Sequence, residues 1–155
     1  MSLTPHDRAR IIQSAFQARE SAYCPYSNFR VGAALISASG EIIKGANVEN
    51  ASYGGTICAE RTALVKAVSE GTKSFAALAV TTDVKAPISP CGICRQFIRE
   101  FCPLDMPILL VPADYTDEFP DGREDGSGKI IQTTVEGLLP LSFGPGDLEL
   151  PRGAQ

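Results

Sequence analysis

The first half of the chain changes from a helical to an extended pattern of apolar residues. Apolar side chains recur at helical spacing near the start, at Ile11, Ile12, Ala15, Phe16 and Ala22. Thr4 and Pro5 precede them as an N-cap and a first helical residue, so we expect a helix from residue 5 to about residue 21. Apolar runs at 29–36 and 41–48 flank the turn residues Ser39-Gly40 and predict an antiparallel hairpin.

The second half alternates between further helix and strand patterns. Helices are expected at 58–68 and 91–101, and strands at 75–82, 106–111 and 130–135. This order predicts a layered α/β fold. Residues 112–128 are rich in Asp, Glu and Gly and predict a long exposed loop. We expect residues 1–155 to form a single domain, with 149–155 as a disordered tail.

Composition and charge narrow the class of partner. The 155 residues are 44% apolar and 21% charged, values that are ordinary for a globular domain. The net charge of −4 does not favour a polyanionic partner, because nucleic-acid-binding proteins concentrate Lys and Arg on one face. No run approaches the about 18 apolar residues of a membrane span, and the N-terminal segment holds no apolar leader core. We therefore expect a cytoplasmic protein with neither a nucleic acid nor a membrane as partner.

The five cysteines are an odd number in a chain without an export signal. This usage favours a reducing compartment, in which cysteines act as metal ligands, reactive thiols or core residues rather than in disulfides. Cys24 and Cys102 are expected to be small hydrophobic residues. His6 is the only histidine, and we expect it to be solvated at the start of the first helix.

Two short segments carry the candidate chemistry. One is Thr56-Ile57-Cys58-Ala59-Glu60-Arg61, and the other is Ser89-Pro90-Cys91-Gly92-Ile93-Cys94-Arg95. Cys91 and Cys94 form a C-x-x-C at the start of a predicted helix, and Cys58 begins another. A helix N-terminus favours thiolate over thiol. Three converging thiolates are ligands that suit zinc.

Three protein ligands rather than four are typical of a catalytic zinc site, which keeps a position for water. Glu60 follows Cys58 by two residues, so its carboxylate is expected beside that position, where a proton shuttle belongs. Three alternatives remain open. The C-x-x-C could be a redox pair, Cys24 or Cys102 could complete a structural four-cysteine site, and Glu60 could be an ordinary charge in a first helical turn.

The combination of C-A-E and P-C-x-x-C resembles the cysteine form of the zinc deaminase signature. The resemblance to the small, homotetrameric class of cytidine deaminases extends over roughly residues 5–148. It is carried by YCPYSNFRVGAAL (23–35), GANVENASY (45–53), TICAERTAL (56–64), SPCGICRQFIREF (89–101) and LLPLSFGPGDL (138–148). It implies a three-layer α/β/α domain with a mixed sheet of about five strands.

The resemblance also implies roles for individual residues. Cys58, Cys91 and Cys94 match the ligands of one zinc ion per chain, and Glu60 matches the catalytic acid and base. Arg61 matches an arginine that packs against the ligand sulfurs, although it could instead be a surface arginine of the helix.

The implied substrate contacts lie in several segments. Asn47 and Glu49 match the pair that binds the ribose 3′-hydroxyl, and Phe29 matches a ring that packs on the pyrimidine. The Ala59 N–H matches the donor to the 2-carbonyl, and the Ser89 carbonyl matches the acceptor from the 4-amino group. Two residues match ones that reach into a neighbouring subunit's site, namely Tyr53 and Phe143. Phe143 could instead fold back on its own chain.

The implied activity is hydrolytic deamination of cytidine and 2′-deoxycytidine in pyrimidine salvage. One alternative is a deaminase of a cytosine nucleoside antibiotic such as blasticidin S, and another is a non-catalytic zinc-binding module. A deaminase of polynucleotides is disfavoured because the chain lacks a basic surface. The 112–128 loop looks longer than is usual for the family.

Overall fold

The computed structural model describes residues 3–151 of the chain. Its helices and strands run in the order α1 (Pro5–Arg19), β1 (Val31–Ser37), β2 (Ile42–Ala46), α2 (Ala59–Ser69), β3 (Phe75–Thr82), α3 (Gly92–Phe101), β4 (Pro107–Val111), β5 (Ile131–Thr134) and α4 (Val135–Leu138). Two short 3-10 helices, Tyr53–Gly55 and Pro145–Glu149, complete the list.

The five strands form one mixed sheet in the order β2-β1-β3-β4-β5. β1 pairs antiparallel with both β2 and β3, β3 pairs parallel with β4, and β4 pairs antiparallel with β5. The predicted hairpin and the predicted number of strands are therefore confirmed. The parallel pair requires a crossover, and α3 provides it.

Helices cover both faces of the sheet, as the three-layer prediction requires. Along β1, Ala33 and Leu35 pack in the cluster that contains the buried faces of α2 and α3. Ala34 and Ile36 point the other way, into the cluster that contains α1. Side chains of a strand alternate between faces, so a strand buried on both sides reads as a continuous apolar run. That is the pattern by which β1 was predicted.

The helices differ from prediction at their ends. Thr4 caps α1 as expected, accepting a hydrogen bond from the Asp7 N–H at 3.1 Å. The helix was predicted to end at about residue 21 but ends at Arg19, and Ser21 lies in a turn, where its N–H bonds to the carbonyl of Ala18, three residues back. Cys58 and Cys91 were predicted to begin helices and are instead N-cap residues with extended backbone.

The hairpin strands are shorter than predicted at the end near the cysteines. β1 begins at Val31 rather than residue 29, and β2 ends at Ala46 rather than residue 48. Val48 leaves the sheet and forms isolated bridges with Tyr23 and Ile57. These bridges connect the segment that follows β2 with the residues that precede α2.

Short elements were missed because they are too brief to show a period. α4 contains Val135, which was predicted in the last strand, and neither 3-10 helix was predicted. Glu149 ends the second of them, and residues 152–155 lie outside the described residues, so the disordered tail stays a prediction. Within residues 3–151, every helix is too short or too polar to span a bilayer.

The 112–128 segment forms the expected irregular loop, and Arg123 makes several of the contacts within it. The Arg123 N–H donates to the Ser127 carbonyl at 2.8 Å, and its guanidinium lies 3.7 Å from Asp114. The guanidinium also stacks 5.6 Å from the ring centre of Phe119. The loop is therefore held by contacts among its own residues.

Candidate active site

Two helix starts bring three cysteines together. Cys58 is the N-cap of α2, Cys91 is the N-cap of α3, and Cys94 lies in the first turn of α3. The sulfurs of Cys58 and Cys91 are 3.9 Å apart, and all three lie within 4.8 Å of one another. None of them is in a disulfide. The convergence predicted from the sequence is therefore present.

The donor set fits a zinc ion. Tetrahedral coordination with Zn–S bonds of about 2.3 Å separates two sulfurs by about 3.8 Å, close to the observed 3.9 Å. Within residues 3–151, no fourth Cys, His or carboxylate joins this group, so Cys24 and Cys102 do not complete a structural site. Cys102 is buried in the core as expected, and Cys24 is half-buried. Three sulfur ligands leave one position for a ligand that is not protein.

The pKa values of the Cys58 and Cys94 thiols differ from one another. A hydrogen bond from Cys94 lowers the pKa of Cys58 to about 5, against the effect of burial, and hydrogen bonds from Arg61 and Cys91 act in the same direction. The pKa of Cys94 is raised, because its hydrogen bond to Cys58 and its burial keep the thiol protonated. A divalent cation between the sulfurs favours the thiolate form of all three.

Arg61 lies against the same sulfurs. Burial lowers the pKa of its guanidinium, but hydrogen bonds to Cys58 and Cys94 outweigh that effect and leave the pKa raised. Nη2 also donates to the Thr56 carbonyl at 3.3 Å. This placement supports the expected role for Arg61 and does not fit a plain surface arginine.

Glu60 is a buried carboxyl beside the cluster. It lies in the first turn of α2 and is only 4% exposed, which does not fit an ordinary solvated helix charge. Its Oε2 atom is 3.7 Å from the sulfur of Cys94. Burial raises the pKa of Glu60 to about 7, and the charge of Cys58 adds to the increase.

A surface cavity of about 260 Å³ is lined by Tyr26, Ser27, Glu49, Tyr53 and Thr56, the last of which precedes Cys58 by two residues. Oε2 of Glu49 accepts hydrogen bonds from the N–H groups of Tyr26 at 2.9 Å and Ser27 at 3.2 Å. Oε1 accepts one from the Ser27 hydroxyl. Led by the Ser27 hydroxyl, these bonds lower the pKa of Glu49. Glu49 is therefore an anion whose Oε1 retains one lone pair for a further donor.

Asn47 connects the cavity wall to β1. Its Oδ1 accepts from the Val31 N–H at 2.8 Å, and its Nδ2 donates to the Phe29 carbonyl at 2.8 Å. Each polar atom of the amide keeps the capacity for one more hydrogen bond. Asn47 is 8% exposed, so burial and these two hydrogen bonds fix the orientation of its amide.

Three further predicted residues are Ala59, Tyr53 and Phe143. Ala59 is the first residue of α2, where helix N–H groups have no intrahelical acceptor. Tyr53 is exposed and meets Tyr26 edge-on, with ring centres 5.7 Å apart. Phe143 is exposed, and its carbonyl accepts a hydrogen bond from Gln96 at 3.0 Å.

Sequence reasoning missed Arg95, which clamps the segment before Cys91. Its guanidinium donates to the Ser89 hydroxyl at 2.6 Å, the Pro90 carbonyl at 2.7 Å and the Leu138 carbonyl at 2.8 Å. Arg95 follows Cys94 directly, but nothing in the linear sequence indicates contacts with Leu138. The clamp holds the Ser89-Pro90 segment against α3 through the Ser89 hydroxyl and the Pro90 carbonyl.

Comparisons with known proteins agree with this geometry. Residues 5–110 match the family model described as the cytidine and deoxycytidylate deaminase zinc-binding region. The cytidine deaminase of Halalkalibacterium halodurans is 49% identical over 142 residues, which cover 92% of this chain and 98% of that protein. The crystal structure of cytidine deaminase from Burkholderia pseudomallei has a TM-score of 0.76 and 42% identity, and the match covers 90% of this chain and 99% of that one.

The fold and the three-cysteine centre thus define a zinc-binding deaminase. The chain belongs to the cytidine deaminase family. The blasticidin-S deaminase of Bacillus cereus is also similar, at 32% identity over 122 residues that cover 73% of this chain and 76% of that protein. The Halalkalibacterium cytidine deaminase matches at higher identity and over more of this chain than the blasticidin-S deaminase does. The comparisons therefore do not favour the antibiotic alternative.

Proposed function

We propose that this protein catalyses the hydrolytic deamination of cytidine and 2′-deoxycytidine to uridine and 2′-deoxyuridine, with release of ammonia. The observation that carries the proposal is a buried carboxyl, Glu60, beside a three-sulfur cluster that leaves one ligand position open. A structural zinc site needs no such carboxyl, whereas a hydrolytic site needs a group that moves protons.

Cys58, Cys91 and Cys94 would hold the zinc ion, which as a Lewis acid activates a water molecule for attack. Glu60 accepts a proton from the attacking water and donates it to N3 of the pyrimidine, while the oxygen adds at C4. Glu60 then relays the second proton to the 4-amino group, which leaves as ammonia. The oxygen becomes the 4-carbonyl, so cytidine and water give uridine and ammonia.

The base is held by backbone groups and one ring. The Ala59 N–H donates to the 2-carbonyl, and the Ser89 carbonyl accepts from the 4-amino group. The Phe29 ring packs on the pyrimidine face. The clamp from Arg95 to Ser89 supports this assignment, because an acceptor fixed in advance loses little entropy when substrate binds.

The sugar is recognised through its 3′-hydroxyl. Glu49 accepts from this hydroxyl at the free lone pair of Oε1, and Asn47 supplies the neighbouring amide. An anionic Glu49 also repels a 5′-phosphate, and the net charge of −4 does not favour polyanions. The substrate is therefore a neutral nucleoside, which suits a salvage enzyme of the cytoplasm.

The active form is a homotetramer in which neighbouring subunits complete each site. Tyr53 and Phe143 are 75% and 59% exposed within one chain, although both are large aromatic residues. The exposed helix face around Ile93 adds further apolar surface, since Ile93 is 66% exposed. Apolar surface of this kind is typical of a contact with another chain.

The test is the loss of cytidine absorbance on addition of the zinc-loaded protein. Deoxycytidine, cytosine, CMP and blasticidin S are assayed in parallel, with Glu60→Gln as the inactive control. We expect turnover of cytidine and deoxycytidine, and little of the other three. Faster turnover of blasticidin S would establish the antibiotic alternative, and no turnover of any compound would establish a non-catalytic zinc-binding module.

A further inference from the structure

The chain leading into β1 is held by a continuous set of backbone hydrogen bonds. All six N–H groups from Tyr26 to Val31 have an acceptor, although this segment precedes the strand. In chain order the acceptors are the Glu49 carboxylate twice, the Cys24 carbonyl, the Ser27 hydroxyl, the Asp83 carboxylate and the Asn47 side chain. Five of the six N–H groups are therefore held by side chains.

We propose that Asp83 is a positioning residue for Phe29, and that it sets the affinity for the pyrimidine through the backbone N–H of Arg30. This inference rests on the proposed function, since Phe29 matters here as the ring that packs on the base. The acceptors of the other five N–H groups lie within residues 24–27 or in the 47–49 segment. Asp83 is the acceptor contributed from the end of β3, at the centre of the sheet.

Asp83 contacts both the backbone and the side chain of Arg30, and the two kinds of contact can be tested separately. Oδ2 of Asp83 accepts from the Arg30 N–H at 2.9 Å. Its two oxygens also accept from Nε and Nη2 of the Arg30 guanidinium at 2.9 to 3.2 Å. The guanidinium also pairs with Glu20 at 2.8 Å. Exposed ion pairs of this kind contribute little to stability.

The backbone bond acts on the residue before it. Phe29 and Arg30 share a peptide group, so the bond at the Arg30 N–H fixes the plane from which the Phe29 backbone continues. Asn47 fixes the same peptide at its other end, by donating to the Phe29 carbonyl. Loss of either bond frees the backbone on which the ring is carried, and ordering it again on binding weakens affinity.

The experiment compares Asp83→Ala with Arg30→Ala. Arg30→Ala removes the pair with its own guanidinium but keeps the backbone N–H and its acceptor. Asp83→Ala removes both, together with a longer pair of 3.9 Å to Arg19. We expect Asp83→Ala to raise KM for cytidine about fivefold or more, the equivalent of one hydrogen bond, with kcat nearly unchanged. Arg30→Ala should leave KM within about twofold of wild type. Asp83→Asn, whose amide oxygen can still accept, should restore most of the affinity.

A double-mutant cycle distinguishes positioning of Phe29 from general loosening. In a Phe29→Ala background, Asp83→Ala should raise KM no further, because the ring to be positioned is gone. Equal effects in both backgrounds, or equal effects of Arg30→Ala and Asp83→Ala, would overturn the proposal. If Asp83→Ala does not fold, Asp83→Ser takes its place, since its shorter side chain also fails to reach the N–H. A wild-type protein without deaminase activity would instead refute the proposed function.

Discussion

Oε2 of Glu60 lies 3.7 Å from the sulfur of Cys94, although the two residues belong to different helices, α2 and α3. The helices start at Ala59 and Gly92 and pack side by side on the same face of the sheet. Two helix N-termini therefore meet at one point, and the buried carboxyl of one adjoins the sulfurs of both. A candidate zinc site and a buried carboxyl therefore lie within a few ångströms of each other.

Glu60→Gln is expected to keep the fold and the zinc and to lose most of the turnover. The amide can still accept hydrogen bonds but cannot carry a proton, and general acid–base groups are worth about 10² to 10⁴ in rate. We expect kcat to fall at least about 100-fold. The measurement is kcat for cytidine beside zinc content and thermal unfolding. A variant that keeps more than about a tenth of the wild-type kcat contradicts the role.

Cys91→Ala is expected to lose zinc, and Cys24→Ala is the matched control. Cys24 is half-buried and lies outside the three-sulfur cluster, so its removal should leave about one zinc ion per chain. Two remaining sulfurs are too few to hold the metal tightly. The measurement is metal content after gel filtration. Full zinc and full activity in Cys91→Ala would show that the cluster is not the metal site.

The sugar contacts predict a preference at the 3′-position and little at the 2′-position. Glu49 and Asn47 would lose a partner when the 3′-hydroxyl is missing, and unpaired buried polar groups can discriminate by about 10⁴ or more. Cytidine and 2′-deoxycytidine should therefore have similar kcat/KM, and 2′,3′-dideoxycytidine should be a poor substrate. Equal kcat/KM for the dideoxy compound would refute the assignment of Glu49.

The sequence was informative where a pattern is local. The bounds of β3, Phe75–Thr82, agree with those predicted, because a compact apolar run is a strand signal in itself. The cysteine spacing likewise identified the metal cluster, because a helix start aligns residues three apart. Asp83 and Arg95 were missed, since their partners Arg30 and Leu138 are 53 and 43 residues away in sequence. Such contacts are set by the packing of the sheet and helices.

Gly45→Ala is expected to destabilise the protein by disturbing the packing of β2 against α2, the helix whose N-cap is Cys58. A Cβ at Gly45 in β2 would lie 2.4 Å from both the Ala59 carbonyl and the Ala63 N of α2. Replacing glycine gains about 0.4–1 kcal/mol from the unfolded chain, but overpacking of this kind costs roughly 1–3 kcal/mol. Gly146→Ala is the control, because nothing lies within 4 Å of its Cβ. Thermal unfolding should show a lower Tm for Gly45→Ala only.

Phe143 offers a test of site sharing between subunits. Phe143→Ala should weaken nucleoside binding without loss of zinc, because Phe143 is not one of the three sulfur ligands. Leu148→Ala is the matched control, since Leu148 is also 59% exposed and lies in the same C-terminal region. The measurements are KM for cytidine and metal content. An unchanged KM for Phe143→Ala would remove Phe143 from the substrate site.

Mixing two inactive or weakened variants should then restore activity. After subunit exchange, a site with Glu60 from a Phe143→Ala chain can borrow the intact Phe143 of a Glu60→Gln neighbour. That site is complete, whereas neither variant alone can form one. We expect kcat/KM of the mixture to exceed the average of the two separate proteins, and Leu148→Ala in place of Phe143→Ala to show no such gain. No rescue in mixtures shown to have exchanged subunits, or full activity from a monomer in sedimentation at assay concentration, would exclude shared sites.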